Sequence, residues 1–179
     1  QHMDMTPVNN AVNSFLGLFV ENPNWFFDVE HVTVVNAGVI ILLQLFVSKI
    51  VQKAPALPTM IVGMGFGTLG MAILSFSNSP WLFILGIVTF TLGEMTAHPK
   101  YNSYIGMIAP PDKKALYMGY SFLYGVIGSS IGGFIGAALY VKYVEEMANP
   151  SAFYLIFASL GLFSMIALIL YNKFWKSVK

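Results

Sequence analysis

The sequence has no cysteine, which removes disulfide frameworks and thiolate metal sites from consideration and leaves its redox compartment open. It is also poor in charge. Only 9% of its 179 residues are Asp, Glu, Lys or Arg, where a soluble globule carries about 25% to solvate its surface. The net charge of +1 provides no basic field for nucleic acid and no acidic field for cationic partners. Hydrolase signatures are missing as well: there is no G-x-S-x-G, no H-E-x-x-H and no pair of carboxylates at working distance. Residues 1–30 lack the basic segment and short apolar run of a secretory signal. The expectation is a protein that is no enzyme and uses neither cofactor nor metal.

What fills the sequence is apolar. Hydrophobic residues make up 56% of it and the mean hydropathy is +0.69. Since a helix crossing about 30 Å of hydrocarbon needs roughly 20 mostly apolar residues, five segments qualify as spans, at residues 32–51, 57–76, 81–108, 115–140 and 152–171. Turn chemistry separates them: Ser77, Asn78, Ser79 and Pro80 end the second, Pro110, Pro111 and Asp112 follow the third, and Asn149 and Pro150 precede the fifth. The third span is longer than a bilayer requires and contains Pro99, which predicts a tilted or kinked helix. The fold class is therefore all-α, a polytopic membrane helical bundle.

Lysine placement orients the bundle, because cytoplasmic loops retain lysine and exported ones do not. Lys49 and Lys53 flank one connection, Lys113 and Lys114 another, and Lys173, Lys176 and Lys179 mark the tail, all on one face. The opposite face holds the Ser77–Ser79 turn, a Lys142, Glu145, Glu146 loop, and a leader over residues 1–30 with Asp4, Glu21, Asp28, Glu30 and the aromatics Trp25, Phe26 and Phe27. This predicts a multi-pass protein of the cell (inner) membrane with a cytoplasmic carboxyl terminus. An odd number of spans in this polarity predicts a further helix before Gln1.

Small residues spaced four apart let helix backbones approach closely inside a bilayer. Gly128, Gly132 and Gly136 form such a seam, widened by Gly125, Ser129 and Gly133, and Gly63 with Gly67 gives a shorter one. Gly65 to Gly70 spells the dinucleotide fingerprint G-x-G-x-x-G, but it lies inside a span with no preceding strand and has no phosphate-cradling geometry.

The informative chemistry is in the third span. Glu94 lies about fourteen residues from Pro80 and about sixteen from Pro110, roughly 20 Å from either end. A carboxylate at that depth costs ~2.5 kcal/mol or more and by default marks a substrate or proton path. His98 and Tyr101 follow at four and seven residues, so a carboxylate, an imidazole and a phenol share one helical face able to pass a proton or hold an amine. Lys100 projects elsewhere, toward the cytoplasm or into an internal ion pair. Asn36, Gln44, Asn102, Ser103 and Ser121 are further polar residues within spans, read first as interhelical glue, with Asn36 the best candidate for more.

The run from Gly93 and Glu94 through His98, Pro99 and Ser103, then Ile108, Ala109, Pro110, then Tyr117, Met118, Gly119, Tyr120, Ser121, Phe122, Leu123, resembles the tenth-to-eleventh-helix signature of proton-dependent oligopeptide transporters of the major facilitator superfamily. Weaker likeness covers nearly the whole chain: Gln1 to Thr6 is similar to the end of a seventh helix, Trp25, Phe26 and Asn36 to the start of an eighth, and Lys53 to Pro58 to the start of a ninth. The resemblance implies part of the carboxyl-terminal six-helix half of that fold, helices eight to twelve. It also implies that Glu94 meets a peptide amino terminus and that Asn36 matches an asparagine near the pocket. The chain departs from the pattern at His98 for a serine, Lys100 for an apolar residue, Tyr101 for a glycine and Ser121 for a pocket tryptophan. Those departures bear on the substrate more than on the fold.

Together these readings predict a proton-coupled symporter of small peptides or related amine-bearing solutes, with a substrate or proton site of Glu94, His98, Tyr101, Asn36 and Ser121. Its partners would be substrate, protons, the lipid bilayer and a missing amino-terminal half. Two bundles would rock around a mid-membrane site, as in alternating access. A carrier for sugars, drugs or anions shares the architecture, and a non-transport membrane subunit would use the glycine seams to bind partner helices.

Overall fold

The computed structural model describes residues 3–28 and 30–174. The expectations attached to Gln1, Lys176 and Lys179 lie outside the described residues. The chain forms α1 (Thr6–Leu16), α2 (Glu30–Val51), α3 (Ala56–Ser75), α4 (Pro80–Ile108), α5 (Lys114–Tyr140) and α6 (Pro150–Phe174), with no strand among the described residues. Five of these, α2 to α6, are long and apolar enough to cross a membrane.

Local chemistry sets the ends. Pro80 and Pro150 occupy the first turns of α4 and α6, where a missing N–H costs nothing. Asn149 Oδ1 caps α6 by accepting the Ala152 N–H at 3.1 Å. Ahead of α1, whose cap position is Met5, Asp4 accepts the Thr6 N–H at 2.9 Å and its O–H at 2.5 Å. α4 stays one helix across Pro99. The stretch holding Lys142, Glu145 and Glu146, expected as a loop, is instead helical: Val141–Glu146 prolongs α5 as a wider π-turn. Its charged side chains remain exposed there, and the reversal waits for Ala148, whose φ of 48° is left-handed.

The leader is tied down rather than free. The Asn13 side chain accepts the Trp25 N–H at 2.7 Å and donates to the Trp25 carbonyl at 2.8 Å, while Asn9 accepts the Phe27 N–H at 2.8 Å. The Trp25 indole then sits edge-on to His31, in the first turn of α2, with ring centroids 4.9 Å apart.

α3 is the centre of the bundle, packed on α4 along its length and on α6 behind. Glycine makes the first of these contacts possible. A Cβ on Gly93 would lie 2.5 Å from the Gly67 nitrogen and 2.6 Å from the Gly63 carbonyl oxygen, and one on Gly70 would lie 2.5 Å from the Phe90 nitrogen. Backbones this close gain the dispersion contact that holds helices together where lipid is as apolar as leucine. Against α6, Ser75 donates to the Ser151 carbonyl at 2.9 Å, and the Tyr104 and Tyr171 hydroxyls meet at 2.8 Å.

The glycine seam expected on α5 is not used by the described residues of this chain. No described atom lies within 4 Å of a Cβ placed on Gly125, Gly128, Gly132 or Gly133, and Gly136 meets only the Phe157 ring edge at 3.8 Å. α5 touches its neighbours least of the spanning helices, and Ser121 is its one buried residue.

Candidate functional site

A cavity of about 560 Å³ opens between α2, α3, α4 and α5, a size that suits a small-molecule ligand. α4 supplies its back wall. Glu94, His98 and Tyr101, spaced four and three apart, all line it, as the helical period requires, with Met95 and Pro99 between them. α2 contributes Ile40 and Gln44, α3 contributes Met60 and Met64, and α5 contributes Tyr124.

Depth along each helix places the cavity. At 1.5 Å per residue, Glu94 is roughly 21 Å from the Ile108 end of α4, His98 roughly 15 Å and Tyr101 roughly 10 Å. Measured from the same face, Met60 lies roughly 6 Å into α3, Gln44 roughly 10 Å from the end of α2, and Tyr124 roughly 15 Å into α5. The carboxylate is therefore the deepest polar group, and the remaining lining grades outward toward the lysine-bearing ends.

The Glu94 side chain is exposed to the cavity, and no described side chain or backbone group bonds it. The same holds for His98. Tyr101 stacks edge to face with Tyr124 at 4.6 Å between centroids, so the two phenol rings form the outer flank. Gln44 donates to Ser48 at 2.8 Å along its own helix.

Two sequence candidates sit elsewhere. Asn36 faces α4 above the cavity, with Oδ1 3.2 Å from the hydroxyl of Thr91, which also donates to the Ile87 carbonyl at 2.8 Å. Thr91 is fully buried, so this pair is the interhelical bond between α2 and α4. Ser121 is buried too and donates to the Met118 carbonyl at 2.7 Å, within its own helix. The structure thus brings Glu94, His98 and Tyr101 together and leaves Asn36 and Ser121 outside the lining.

Lys100 takes neither an ion pair with a described residue nor a place in the cavity. It is buried, 7% exposed, and Nζ donates to the Ala54 carbonyl at 2.8 Å and the Gln52 carbonyl at 3.2 Å. Those carbonyls belong to the turn between α2 and α3, beyond the last α2 hydrogen bonds, where a cation is favoured by the helix dipole.

Tyr124 and the three methionines were not anticipated as lining. Tyr117, Tyr120 and Tyr124 recur at three and four residues along one face of α5, which is the signal that points to an aromatic stripe there. Nothing in the spacing of Met60, Met64 and Met95 distinguishes a cavity wall from ordinary core.

A profile described as Major Facilitator Superfamily matches residues 12–177. Among curated proteins, the chain is 29% identical over 147 residues to "Uncharacterized MFS-type transporter YttB" of Bacillus subtilis (strain 168), covering 81% of this chain and 36% of that protein. It is 29% identical over 101 residues to "Uncharacterized MFS-type transporter YqjV" of the same organism, covering 55% of this chain and 25% of that protein. The chain therefore spans between a quarter and about a third of the length of these relatives. No solved structure matches it.

Proposed function

The chain belongs to the major facilitator superfamily, and on that footing we propose that it forms part of a proton-coupled secondary transporter of amine-bearing solutes. Small peptides are the class implied by the likeness of the Gly93–Leu123 run to oligopeptide transporters. In this reading the segment lies in the carboxyl-terminal half of the transporter, in the cell membrane with its tail cytoplasmic, and the remaining wall of the substrate path comes from the other half.

One observation carries the proposal: a carboxylate with no partner among the described residues faces a cavity midway along α4. An unpaired ionised acid at that depth is unfavourable unless water, a proton or a cation reaches it. Water supplies this need while the cavity is open. Closure strips the water, so the site closes well only when Glu94 is protonated or paired with a substrate amine. That requirement by itself couples proton and substrate movement to the rocking of two bundles. His98 and Tyr101, one and two turns nearer the lysine-bearing face on the same side of α4, are the polar side chains along which the proton would pass.

A sugar or anion carrier would share the bundle. The bare carboxylate favours amines over anions, because an anion would have to approach Glu94 against its charge.

The test is proton-driven uptake and counterflow by the complete transporter carrying Glu94→Gln. Loss of one charge-assisted contact, worth ~1.5–3 kcal/mol, predicts a fall in uptake of about tenfold or more and a flattened pH dependence. Wild-type rates with a wild-type pH profile would remove Glu94 from the mechanism.

A further inference from the structure

We infer that His31 is a proton-operated latch: its neutral ring holds the loop between α1 and α2 onto the first turn of α2, and protonation releases that hold. Three N–H groups of the loop are each bonded by a side chain. Asn13 accepts the Trp25 N–H at 2.7 Å, Asn9 accepts the Phe27 N–H at 2.8 Å, and His31 Nδ1 accepts the Asp28 N–H at 3.0 Å. The first two acceptors are amide oxygens of α1, which keep their lone pairs across the whole physiological pH range. The third is an imidazole nitrogen, and imidazole is the side chain that changes charge between pH 5 and 8.

Stereochemistry makes this third bond sensitive to acid. Accepting at Nδ1 requires a lone pair there, so the ring is neutral and carries its proton on Nε2. It reaches back three residues to a backbone N–H, as the Glu or Gln of a capping box does, and the His31 N–H returns a bond to the Asp28 carbonyl at 3.0 Å. Protonation turns Nδ1 into a second donor facing the Asp28 N–H, which ends the bond. It also sets a positive charge in the first turn of α2, where the helix dipole opposes it.

The acidic groups around the ring are Asp28 and Glu30 on its own stretch and Glu21 in the loop, while α1 carries no ionisable side chain and α4 carries none before Glu94. An imidazolium that turns to pair with Asp28 or Glu30 leaves the Asp28 N–H in doing so, so these acids favour release. Asp28 is exposed, and water takes over its N–H without leaving a buried orphan. The departing ring also gives up its contacts with Trp25 and Phe27, whose centroids lie 4.9 and 5.7 Å away. Acid thus frees one joint and leaves two: α1 keeps the loop through Asn9 and Asn13, and the start of α2 loosens. The latch stands at the end of α2 opposite Lys49, and it senses the aqueous phase there.

The experiment is hydrogen exchange of the complete protein in lipid nanodiscs at pH 8 and pH 5, resolved to single amides by fragmentation in the mass spectrometer. Results are expressed as protection factors, which divide out the intrinsic pH dependence of exchange. Protection of the Asp28 amide is expected to fall about fivefold on going to pH 5, the worth of one ordinary hydrogen bond, while Trp25 and Phe27 hold theirs. His31→Gln supplies an acceptor that does not titrate and is expected to keep the protection at pH 5. His31→Phe supplies a ring without the acceptor and is expected to lose it at both pH values. Equal protection of the unsubstituted protein at the two pH values overturns the inference, and that comparison needs no variant. So does an acid-induced loss that persists in His31→Gln, which places the release on Asp28, Glu30 or Glu21, and so does full protection at pH 8 in His31→Phe.

Discussion

α3 and α5 are both rich in glycine, yet the two helices use it in opposite ways. Gly63 and Gly70 of α3 lie against Ala97, Gly93 and Phe90 of α4, and Gly93 lies in turn against the Gly67 backbone, at distances that exclude even a methyl group on Gly63, Gly70 or Gly93. Gly125, Gly128, Gly132 and Gly133 of α5 are spaced just as regularly and face open space within this chain. Small-residue spacing states that a backbone can be approached, and only the neighbour decides whether it is. The cavity lies along this divide: its fixed wall is the welded α3–α4 pair, and its loosest wall is α5, which supplies only Tyr124.

The largest effect that would break this contrast is Gly93→Ala. The new methyl meets backbone atoms of Gly67 and Gly63 rather than yielding side chains, so α3 and α4 must separate. We expect a loss of about 3 kcal/mol, at the upper end for overpacking, read as a clear drop in the melting temperature of the complete protein in detergent. A melting temperature unchanged within error would mean that the weld is not rigid.

Next comes Lys100→Met, which probes the end of the weld. The close α3–α4 approach runs out near Ala97 and Gly63, and one turn further the Lys100 ammonium reaches to Gln52 and Ala54 instead. Removing it keeps the apolar stem and should cost about 2 kcal/mol, the worth of charged hydrogen bonds. The same melting assay checks it, and faster hydrogen exchange of residues 52–55 should accompany the loss.

Gly132→Ala sharpens the comparison from the other side. With nothing beside it in this chain, the methyl should be neutral or stabilising by up to about 1 kcal/mol through helix propensity. A destabilisation as large as that of Gly93→Ala would show that a helix outside this segment occupies the α5 face.

The smallest expected effect belongs to Asp4, outside every span. Its carboxyl sits below the ordinary 3.8 because the Thr6 hydroxyl and then the Thr6 N–H bond its ionised form. A folded value below the unfolded one means that the contribution is complete above the usual carboxylate range and fades as pH falls through the lowered value. Thr6→Val should return the carboxyl toward 3.8 in an NMR titration and leave the melting temperature where it was. It gives the floor against which the α5 substitution is judged.

Much of the architecture was legible in the sequence because hydrocarbon thickness and turn residues leave little freedom. The breakers at Ser77–Pro80, Pro110–Asp112 and Asn149–Pro150 stand between α3 and α4, α4 and α5, and α5 and α6. The shared face of Glu94, His98 and Tyr101 was equally readable, since it depends only on the period of one helix. What stayed hidden depends on two elements meeting. Gly70 was set aside as part of a false dinucleotide fingerprint, yet with Gly67 it lies in the α3–α4 contact. Asn36 bonds Thr91 rather than lining the cavity, and Lys100 finds loop carbonyls, because both reach partners around 50 residues away in the chain.

The mooring of Trp25 has a mechanical corollary. Its peptide group is gripped by Asn13 on α1 and its indole rests on His31 at the head of α2, beside a second tie from the Phe27 N–H to Asn9. A tilt of α1 would pull through these ties on a helix whose further turns carry Ile40 and Gln44. The leader thus binds the first two helices to one another at the end of the bundle away from the lysine-bearing turns.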